Sequence, residues 1–243
     1  MADSLGDLIR GSGNLVFFGG AGTSTESSIP DFRSSDGLYK TDGGYSYPPE
    51  IMLSHTFFIK NTEEFFRFYR SKMIYKDALP NKAHRALAEL EKKGKLKAVI
   101  TQNIDGLHQM AGSRNVLELH GSVHRNFCMQ CGESYDLDFM VKSREIVPRC
   151  GKCGGVVKPD VVLYEEALDP DVLDRAVSSI SKADMLIVGG TSLAVYPAAG
   201  LIEYFKGDKL VLINKSETPY DGRAGLVIHD SIGEVLDSVI KDT

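Results

Sequence analysis

Short, continuous apolar runs recur along this chain, and glycine-rich or polar loops separate them. A strand with one wet face alternates apolar and polar residues, whereas an unbroken apolar run suits a strand that helices cover on both faces. Six strand candidates, most of them such continuous runs, occupy residues 15–18, 98–101, 116–119, 185–188, 210–213 and 226–228. Segments 83–93 and 169–180 have apolar residues at helical spacing, as such covering helices require. The pattern predicts an α/β fold built on a doubly wound parallel sheet.

Two stretches interrupt this alternation of strands and helices. Residues 38–80 begin with a loop rich in Gly, Tyr and Pro and continue as helical segments dense in Phe and Tyr. Residues 122–160 contain all four cysteines of the chain. We expect both stretches to form a smaller inserted domain, so that the sheet domain is discontinuous and consists of 1–37, 81–121 and 161–243.

The overall charge argues against a protein that mainly grips nucleic acid. The 243 residues include 33 acids and 28 bases, giving a formal charge of −5, whereas phosphate-backbone binding needs clustered positive charge. No apolar run approaches the ~20 residues that span a bilayer, and the first seven residues carry acids where a secretory signal carries bases. We expect a cytoplasmic monomer that binds neither membranes nor nucleic acid.

Polar or glycine groups follow five of the predicted strands. They are GGAGTS at 19–24, QNID at 102–105, HG at 120–121, GGTS at 189–192 and Asn214. Ligands of open parallel sheets bind beyond the carboxyl ends of the strands, so these groups predict a binding site there. The alternative is that loops are polar in any protein, and it explains a single strand end better than it explains all five.

The first glycine cluster matches a dinucleotide-binding fingerprint only in part. Gly20 and Gly22 fit the G-x-G-x-x-G pattern, but Thr25 occupies the third glycine position. The cluster could open a helix whose backbone N–H groups meet a pyrophosphate. No acid ends an immediate second strand to hold a ribose, as a dehydrogenase requires. A nucleotide site is therefore one interpretation, and hydride transfer is disfavoured.

The four cysteines form two C-x-x-C pairs, Cys128 with Cys131 and Cys150 with Cys153, and 18 residues separate the pairs. This spacing is typical of a zinc ion bound by four thiolates. Four thiolates complete the tetrahedron and leave no position for water, so the zinc would be structural. A pair of redox dithiols is the alternative.

Six motifs, in order along the chain, resemble those of the sirtuins, a family of NAD-dependent protein lysine deacylases. They are GAGTST at 20–25 with IPDFR at 29–33, TQNIDGLH at 101–108, LHG at 119–121, the paired cysteines, GTSL at 190–193 and LIN at 212–214. The resemblance spans about residues 15–230 and looks like that of a bacterial or archaeal member. It implies a Rossmann-like large domain, a small domain made of a zinc ribbon and a helical module, and a cleft between them for NAD and an acetyl-lysine peptide.

The resemblance also implies roles for individual residues. His120 would be the general base, and Asn103 would orient ribose or water. Asp105, beside Phe32 and Ile104, would form the nicotinamide pocket and accept from the carboxamide. The other expected NAD contacts are Ala21, Thr25, Arg33 and Gln102 for the phosphates and ribose, and Thr191, Ser192, Asn214 and Asp230 for the adenosine half.

The implied reaction explains these residue types. Breaking the nicotinamide–ribose bond builds positive charge on the sugar, as in glycoside cleavage, and the amide oxygen of acetyl-lysine can then attack. A base must next deprotonate a ribose hydroxyl, and histidine, with an ordinary pKa of about 6.5, suits that task. The products would be nicotinamide, free lysine and O-acetyl-ADP-ribose.

Two positions depart from the sirtuin pattern. Glu165 occupies the place of a glycine after a Val-rich segment that pairs with substrate backbone, and a residue with a Cβ reaches positive φ only at a cost. The geometry of this peptide loop therefore stays open from the sequence. Tyr69 and Lys72 stand where family members that prefer acidic acyl groups carry a Tyr-x-x-Arg pair, so we expect acetyl and other uncharged acyl substrates.

Two other functions stay open from the sequence. ADP-ribosyl transfer to a protein would use the same cofactor, and a catalytically idle sensor of NAD or ADP-ribose would use the zinc ribbon to bind partners. The presence of His120, Asn103 and Asp105 argues against an idle site. We therefore expect an NAD-dependent protein lysine deacetylase with one structural zinc ion.

Overall fold

The structure, a computed structural model, describes residues 4–32, 34, 37–38 and 47–241. The strands in these segments are β1 (Leu15–Gly19), β2 (Leu96–Thr101), β3 (Val116–Glu118), β4 (Gly121–Cys128), β5 (Ser134–Tyr135), β6 (Val157–Val161), β7 (Met185–Gly189), β8 (Lys209–Ile213) and β9 (Leu226–Ile228). The helices are α1 (Leu5–Arg10), α2 (Pro49–Met52), α3 (His55–Lys60), α4 (Thr62–Lys72), α5 (Lys82–Lys92), α6 (Leu107–Met110), α7 (Leu137–Lys142), α8 (Pro170–Lys182) and α9 (Ile232–Lys241). None of the helices in the described segments combines the length and apolar character needed to cross a bilayer.

Six strands form one parallel sheet in the order β3-β2-β1-β7-β8-β9. The chain moves outward from β1 to β3, returns to the other side of β1, and then continues to β9, so the strand order reverses between β1 and β7. Both of these central strands are buried along their whole length, as strands covered on both faces should be. All six predicted runs are strands, and the doubly wound parallel sheet is confirmed.

Apolar cores cover the two faces of this sheet. On one face, α5 and α9 pack together over side chains such as Phe17. On the other face, α8 and a 3-10 helix at Ala198–Tyr204 pack over Phe18 and its neighbours. Polar caps fix where the covering helices begin: the Asn81 side chain accepts from the first turn of α5, and the Asp169 side chain accepts from the first turn of α8. Both helices match the predicted segments, with ends shifted by one or two residues.

A smaller antiparallel sheet, in the order β5-β4-β6, packs against the Phe-rich helices α3 and α4. The rings of Phe58, Phe65 and Phe66 meet edge to face, with centroids 4.9, 5.4 and 6.0 Å apart. The same core takes in Val157 of β6 and Cys128 of β4. Because the cysteine-bearing strands and the Phe-rich helices bury one common set of side chains, each stabilises the other.

The small sheet joins the large one beside the carboxyl edge of the large sheet. β4 begins at Gly121, directly after His120, and β6 ends at Val161. Gly121 and Val161 pair with each other across the two strands. The strand that leads to the cysteines and the strand that returns from them therefore both meet the large sheet at His120.

Candidate active site and metal centre

A cavity of about 990 Å³ lies along the carboxyl edge of the parallel sheet. Loops that follow the six parallel strands and the segment after β6 form its wall. Open α/β sheets bind ligands at this edge, and the volume lies at the upper end for ligand pockets. Arg33 lies outside the described residues. The other predicted site residues outside the cysteine cluster all line the cavity: Ala21, Thr25, Phe32, Gln102, Asn103, Ile104, Asp105, His120, Thr191, Ser192, Asn214 and Asp230.

Two glycine-bearing loops touch at the point where the strand order reverses. The N–H of Gly22 donates to the carbonyl of Gly190 at 2.8 Å, and a Cβ on Gly22 would lie 2.8 Å from the Gly190 Cα. A side chain there would force the loops apart. Short 3-10 turns at Ala21–Thr23 and Thr25–Ser27 follow β1, where the glycine cluster could have opened a helix, and the Gly22 N–H bonds across to the neighbouring loop.

Ser24 connects two of the predicted catalytic residues. Its hydroxyl donates to Oδ2 of Asp105 at 2.6 Å and accepts from Nδ2 of Asn103 at 3.0 Å. The other carboxylate oxygen, Oδ1, accepts from the backbone N–H of Leu107 at 2.9 Å. Burial raises the pKa of Asp105, although the bonds from Ser24 and Leu107 act in the opposite direction. These contacts fix the orientation of an amide and a carboxyl group at the end of β2.

A hydrogen bond to the main chain fixes the tautomer of His120. Its Nδ1 lies 3.0 Å from the carbonyl oxygen of Gln102, and because a carbonyl can only accept, Nδ1 carries the proton. In the neutral ring, Nε2 then holds the lone pair. Burial lowers the pKa of His120, and the bond to Gln102 opposes this effect. A neutral ring with an accepting Nε2 is the form that a general base needs at neutral pH.

The loops after β7, β8 and β9 form the far side of the cavity. The buried Thr191 hydroxyl accepts from Nε2 of Gln102 at 3.1 Å, which ties the end of β7 to the end of β2. Asn214 donates from Nδ2 to the Ser216 carbonyl at 2.8 Å, which fixes the loop after β8. Asp230 is exposed after β9. These polar groups leave hydroxyl, amide and carboxylate atoms along one edge of the cavity.

The four cysteines meet at the end of the small sheet. The Sγ atoms of Cys128 and Cys153 lie 3.4 Å apart, and those of Cys131 and Cys150 lie 3.6 Å apart. All four sulfur atoms lie within 4.8 Å of one another. Tetrahedral zinc with Zn–S bonds of about 2.3 Å needs sulfur separations of about 3.8 Å. The donor set and its dimensions fit one zinc ion that is fully coordinated by protein, so the site is structural.

Tyr135 supports one of these thiolates. Its hydroxyl donates to Sγ of Cys150 at 3.1 Å and accepts from the backbone N–H of Gly151 at 3.0 Å. The bond from Tyr135 is the largest of the contacts that lower the pKa of Cys150 to about 6. Such outer contacts orient metal ligands and favour their deprotonated form.

The segment that follows β6 pairs with the start of α3 through its backbone. The N–H of Tyr164 donates to the carbonyl of Leu53 at 3.0 Å, and its carbonyl accepts from the N–H of His55 at 2.9 Å. At the other end of the segment, the N–H of Val162 donates to the carbonyl of His120 at 3.0 Å. This side of the cavity is therefore held between the helical module and the strand that carries His120.

Glu165 has φ +74°, the conformation that a glycine adopts at low cost. Its Oε2 accepts from the backbone N–H of Thr56 at 2.9 Å. The next residue, Glu166, accepts from Nδ1 of His55 at 2.9 Å and from the Nζ of Lys158 at 3.2 Å. Glu165 therefore adopts the positive φ of a glycine, and its side-chain bond to α3 offsets part of the cost.

In the segment around Tyr69, Lys72 lines the cavity, whereas Tyr69 and Arg70 make contacts within the helical module and with its neighbours. The Tyr69 ring is fully buried and stacks on Phe65 at 5.8 Å. The Arg70 guanidinium donates to the carbonyl oxygens of Ser143 and Glu145 at 3.3 and 3.0 Å. Lys72 lines the cavity. Arg70 therefore holds α4 to the segment after α7.

Sequence reasoning did not assign roles to Ser24, Tyr135, His55 or Glu166. Ser24 had a signal, since it stands in the polar cluster after the first strand, but its contact with Asp105 spans 81 positions of sequence. Tyr135 had a weaker signal in its closeness to the cysteines. His55 and Glu166 lie 111 positions apart, and nothing in the sequence pattern connects them.

Comparison with known proteins gives consistent matches over nearly the whole chain. A model described as "Sir2 family" matches residues 20–197. Relatives named NAD-dependent protein deacetylase are 66% identical in Clostridium acetobutylicum and 63% identical in Clostridium tetani, and each match covers 98% of this chain and 97% of the relative. A solved Sir2 homolog–NAD complex is 42% identical with a TM-score of 0.86, covering 98% of this chain and 92% of that one. A solved complex of Sir2, p53 peptide and NAD+ is 41% identical with a TM-score of 0.84, covering 97% and 95%.

Proposed function

The chain belongs to the Sir2 family and is an NAD-dependent protein deacetylase, and from this premise we propose how its cleft performs the reaction. One observation carries the proposal. The neutral imidazole of His120, the hydrogen-bonded cluster of Ser24, Asn103 and Asp105, and the glycine contact at Gly22 all face one cavity at the switch point of the sheet.

The loops after β1 and β7 would hold the diphosphate of NAD. Both loops line the cavity where the strand order reverses, which is where open α/β sheets bind their ligands. The residues that we propose for the phosphates and ribose are Ala21, Thr25, Arg33 and Gln102. For the adenosine half we propose Thr191, Ser192, Asn214 and Asp230.

The loop after β2 would hold the nicotinamide half of NAD. When bound, NAD supplies a nicotinamide–ribose bond whose cleavage opens the sugar carbon to the acetyl oxygen of the substrate lysine. Phe32 and Ile104, half-buried apolar residues of the wall, enclose the nicotinamide. Asp105, oriented by the Ser24 hydroxyl, accepts from the carboxamide.

His120 acts as the general base. Nε2 removes a proton from a ribose hydroxyl, while the Gln102 carbonyl holds the Nδ1–H and keeps the ring in the required orientation. Asn103, whose Nδ2 bonds to Ser24, orients the ribose or a water molecule with its amide. The acetyl–nitrogen bond of the lysine would break with the addition of one water molecule and the acetyl group would pass to a ribose oxygen, so the products would be nicotinamide, free lysine and O-acetyl-ADP-ribose.

The substrate is an acetyl-lysine side chain of a protein or peptide, bound between segment 161–166 and the large sheet. Segment 161–166 lines the cavity throughout, and its partners at both ends are described above. Arg70 donates to carbonyl groups of the segment after α7 and so is not free to bind an acidic acyl group. Because Lys72 stands where the Tyr-x-x-Arg pair would place its arginine, we propose acetyl and other uncharged acyl groups as substrates.

The organisation of the chain is part of the proposal. We assign 1–37, 81–121 and 161–243 to the NAD-binding domain, 38–80 to the cofactor loop and helical module, and 122–160 to the zinc module. We keep the expectation of a monomer as part of this proposal, and the net charge of −5 supports a protein without nucleic-acid partners. A thiolate zinc site and the use of NAD suit the reducing cytoplasm.

Incubation with NAD and an acetyl-lysine peptide tests this function. We expect the peptide to lose one acetyl mass for each nicotinamide released, with no mass gain on peptide or protein. H120A should lose turnover and keep NAD binding, measured by calorimetry. A mass gain of ADP-ribose on protein would favour ADP-ribosyl transfer, and tight NAD binding without turnover would favour the sensor function.

A further inference from the structure

Glu165 is a charged residue in a left-handed backbone conformation on the wall of the cavity. Its φ is +74°, and a Cβ makes this conformation unfavourable unless other contacts compensate. The carboxylate accepts from the backbone N–H of Thr56, the second residue of α3. The residue in the strained conformation is thus the one whose side chain reaches across to the helical module.

The neighbours of Glu165 reach the same helix by other routes. Tyr164 pairs with Leu53 and His55 through its backbone. Glu166 bonds to His55, to Lys158 and to the N–H of Leu163. Between these two residues, the backbone of Glu165 must turn through positive φ. The bond from Thr56 therefore acts where the segment is intrinsically least stable.

We propose that Glu165 is a positioning residue for the peptide substrate, and that its bond to Thr56 holds segment 161–166 as a preformed wall of the cleft. The inference rests on the proposed function, since the peptide is that of the same cleft. With the bond present, the segment is already ordered when the peptide arrives, and binding does not have to supply that ordering. Without this bond, a residue with a Cβ at position 165 has no contact that compensates for the positive φ.

The role is confined to the peptide because of where the segment is tied. The N–H of Val162 donates to the His120 carbonyl, which fixes the end of the segment near the reacting ribose. The bond from Thr56 of α3 fixes the opposite end of the segment, at Glu165. Loss of the Thr56 bond should therefore weaken peptide binding and leave NAD binding and the chemical step largely unchanged.

Three substitutions at one position separate the bond from the backbone conformation. E165Q keeps an acceptor oxygen for the Thr56 N–H, so we expect a peptide KM close to that of wild type. E165A loses the bond and retains the cost of positive φ, so we expect the peptide KM to rise about three- to tenfold with kcat within about twofold. E165G loses the bond but adopts positive φ easily, so its KM should lie between those of E165A and wild type. The KM for NAD should not change in any of the three variants.

The control variant is E63A, which removes an exposed carboxylate of α4 outside the cavity wall and should keep wild-type KM values. Amide hydrogen exchange at Thr56 gives a readout independent of activity, and it should speed up in E165A and E165G but not in E165Q. Unchanged peptide KM in E165A, or a fall in kcat alone, would overturn the positioning role. A wild-type protein without deacetylase activity would overturn the proposed function, and this inference with it.

Discussion

One hydrogen bond determines how the activity should respond to pH. The Gln102 carbonyl accepts from Nδ1 of His120, so protonation of the ring occurs at Nε2, the nitrogen that must accept a proton in the reaction. Burial lowers the pKa of His120 from its ordinary value of 6.5. The active neutral form therefore persists below pH 6.5, and kcat/KM for NAD should fall only in more acidic solution. Initial rates at saturating peptide between about pH 5 and 8.5 measure this acid limb.

NAD binding by calorimetry over the same range is the control, because it separates proton uptake by His120 from loss of the cofactor. We expect binding to change less than kcat/KM across the acid limb. A midpoint at or above 6.5 would show that the protonated ring is not destabilised in the folded protein. The role of His120 as a buried neutral base would then be wrong.

Much of the cavity could be predicted from strand order because parallel strands bring their carboxyl ends to one edge. This rule unites Asn103, Asp105, His120, Thr191 and Asn214 without any knowledge of side-chain contacts. It does not determine which side chains bond to one another. The Ser24 hydroxyl reaches both Asn103 and Asp105 only because β1 and β2 are neighbours in register.

The contact between Glu165 and Thr56 shows a second limit. These residues lie 109 positions apart, Thr56 in α3 and Glu165 in the segment after β6. The sequence indicates a cost at Glu165, because a Cβ disfavours positive φ. Whether the backbone changes or a contact compensates depends on the distance to α3, which only the folded structure supplies.

The strands of the two sheets differed in how well the sequence predicted them. The central strands β1 and β7 are unbroken apolar runs that end in glycine, and burial on both faces makes that pattern easy to recognise. β4 has eight residues with buried and exposed positions in irregular order. It therefore shows neither an unbroken apolar run nor the strict alternation that would identify a strand. It is held instead by pairing with β5 and β6 and by the cysteine at its end.

Zinc should control the activity through the strands of the small sheet. β4 runs from Gly121, beside His120, to Cys128, and β6 returns to Val161 at the start of the peptide-binding segment. Loss of zinc should therefore loosen both strands at the cleft. We expect C131S to lose its zinc on dialysis against a chelator and to lose at least about tenfold in deacetylation rate. Metal analysis and near-ultraviolet circular dichroism measure the two effects.

M129S is the matched control for the zinc prediction. Met129 lies between the two cysteines of the first pair, with its side chain exposed, and its backbone N–H donates to Val156. It should keep one zinc ion and wild-type activity. If chelator-treated wild-type protein kept its circular dichroism signal and its turnover, zinc would not support the cleft in this way.

Two histidines buried beside the central sheet couple the stability of the whole protein to pH. His84 on α5 and His108 on α6 are almost fully buried, with ring centroids 4.7 Å apart. Within the described segments, neither nitrogen of His108 has a hydrogen-bond partner, and Nε2 of His84 has none. Burial lowers the pKa of His84 to about 4 and that of His108 well below 6.5. The folded protein therefore holds both rings neutral.

The unfolded chain binds protons at these histidines near pH 6.5, whereas the folded protein does so only in more acidic solution. Stability is therefore complete above pH 6.5 and is lost as the pH falls below it, by about 1.4 kcal/mol per pH unit for each histidine.

H108L replaces an unpartnered polar ring by an apolar side chain of similar size, so its free energy of unfolding at pH 7.5 should equal or exceed that of wild type. Between pH 6.5 and 5, the free energy of unfolding of H108L should fall less steeply with pH than that of wild type. The difference between the two slopes should correspond to about one bound proton. Urea unfolding at several pH values measures both slopes, and the shared carboxylates and zinc site cancel in the difference. Parallel curves for the two proteins would show that His108 does not carry the coupling.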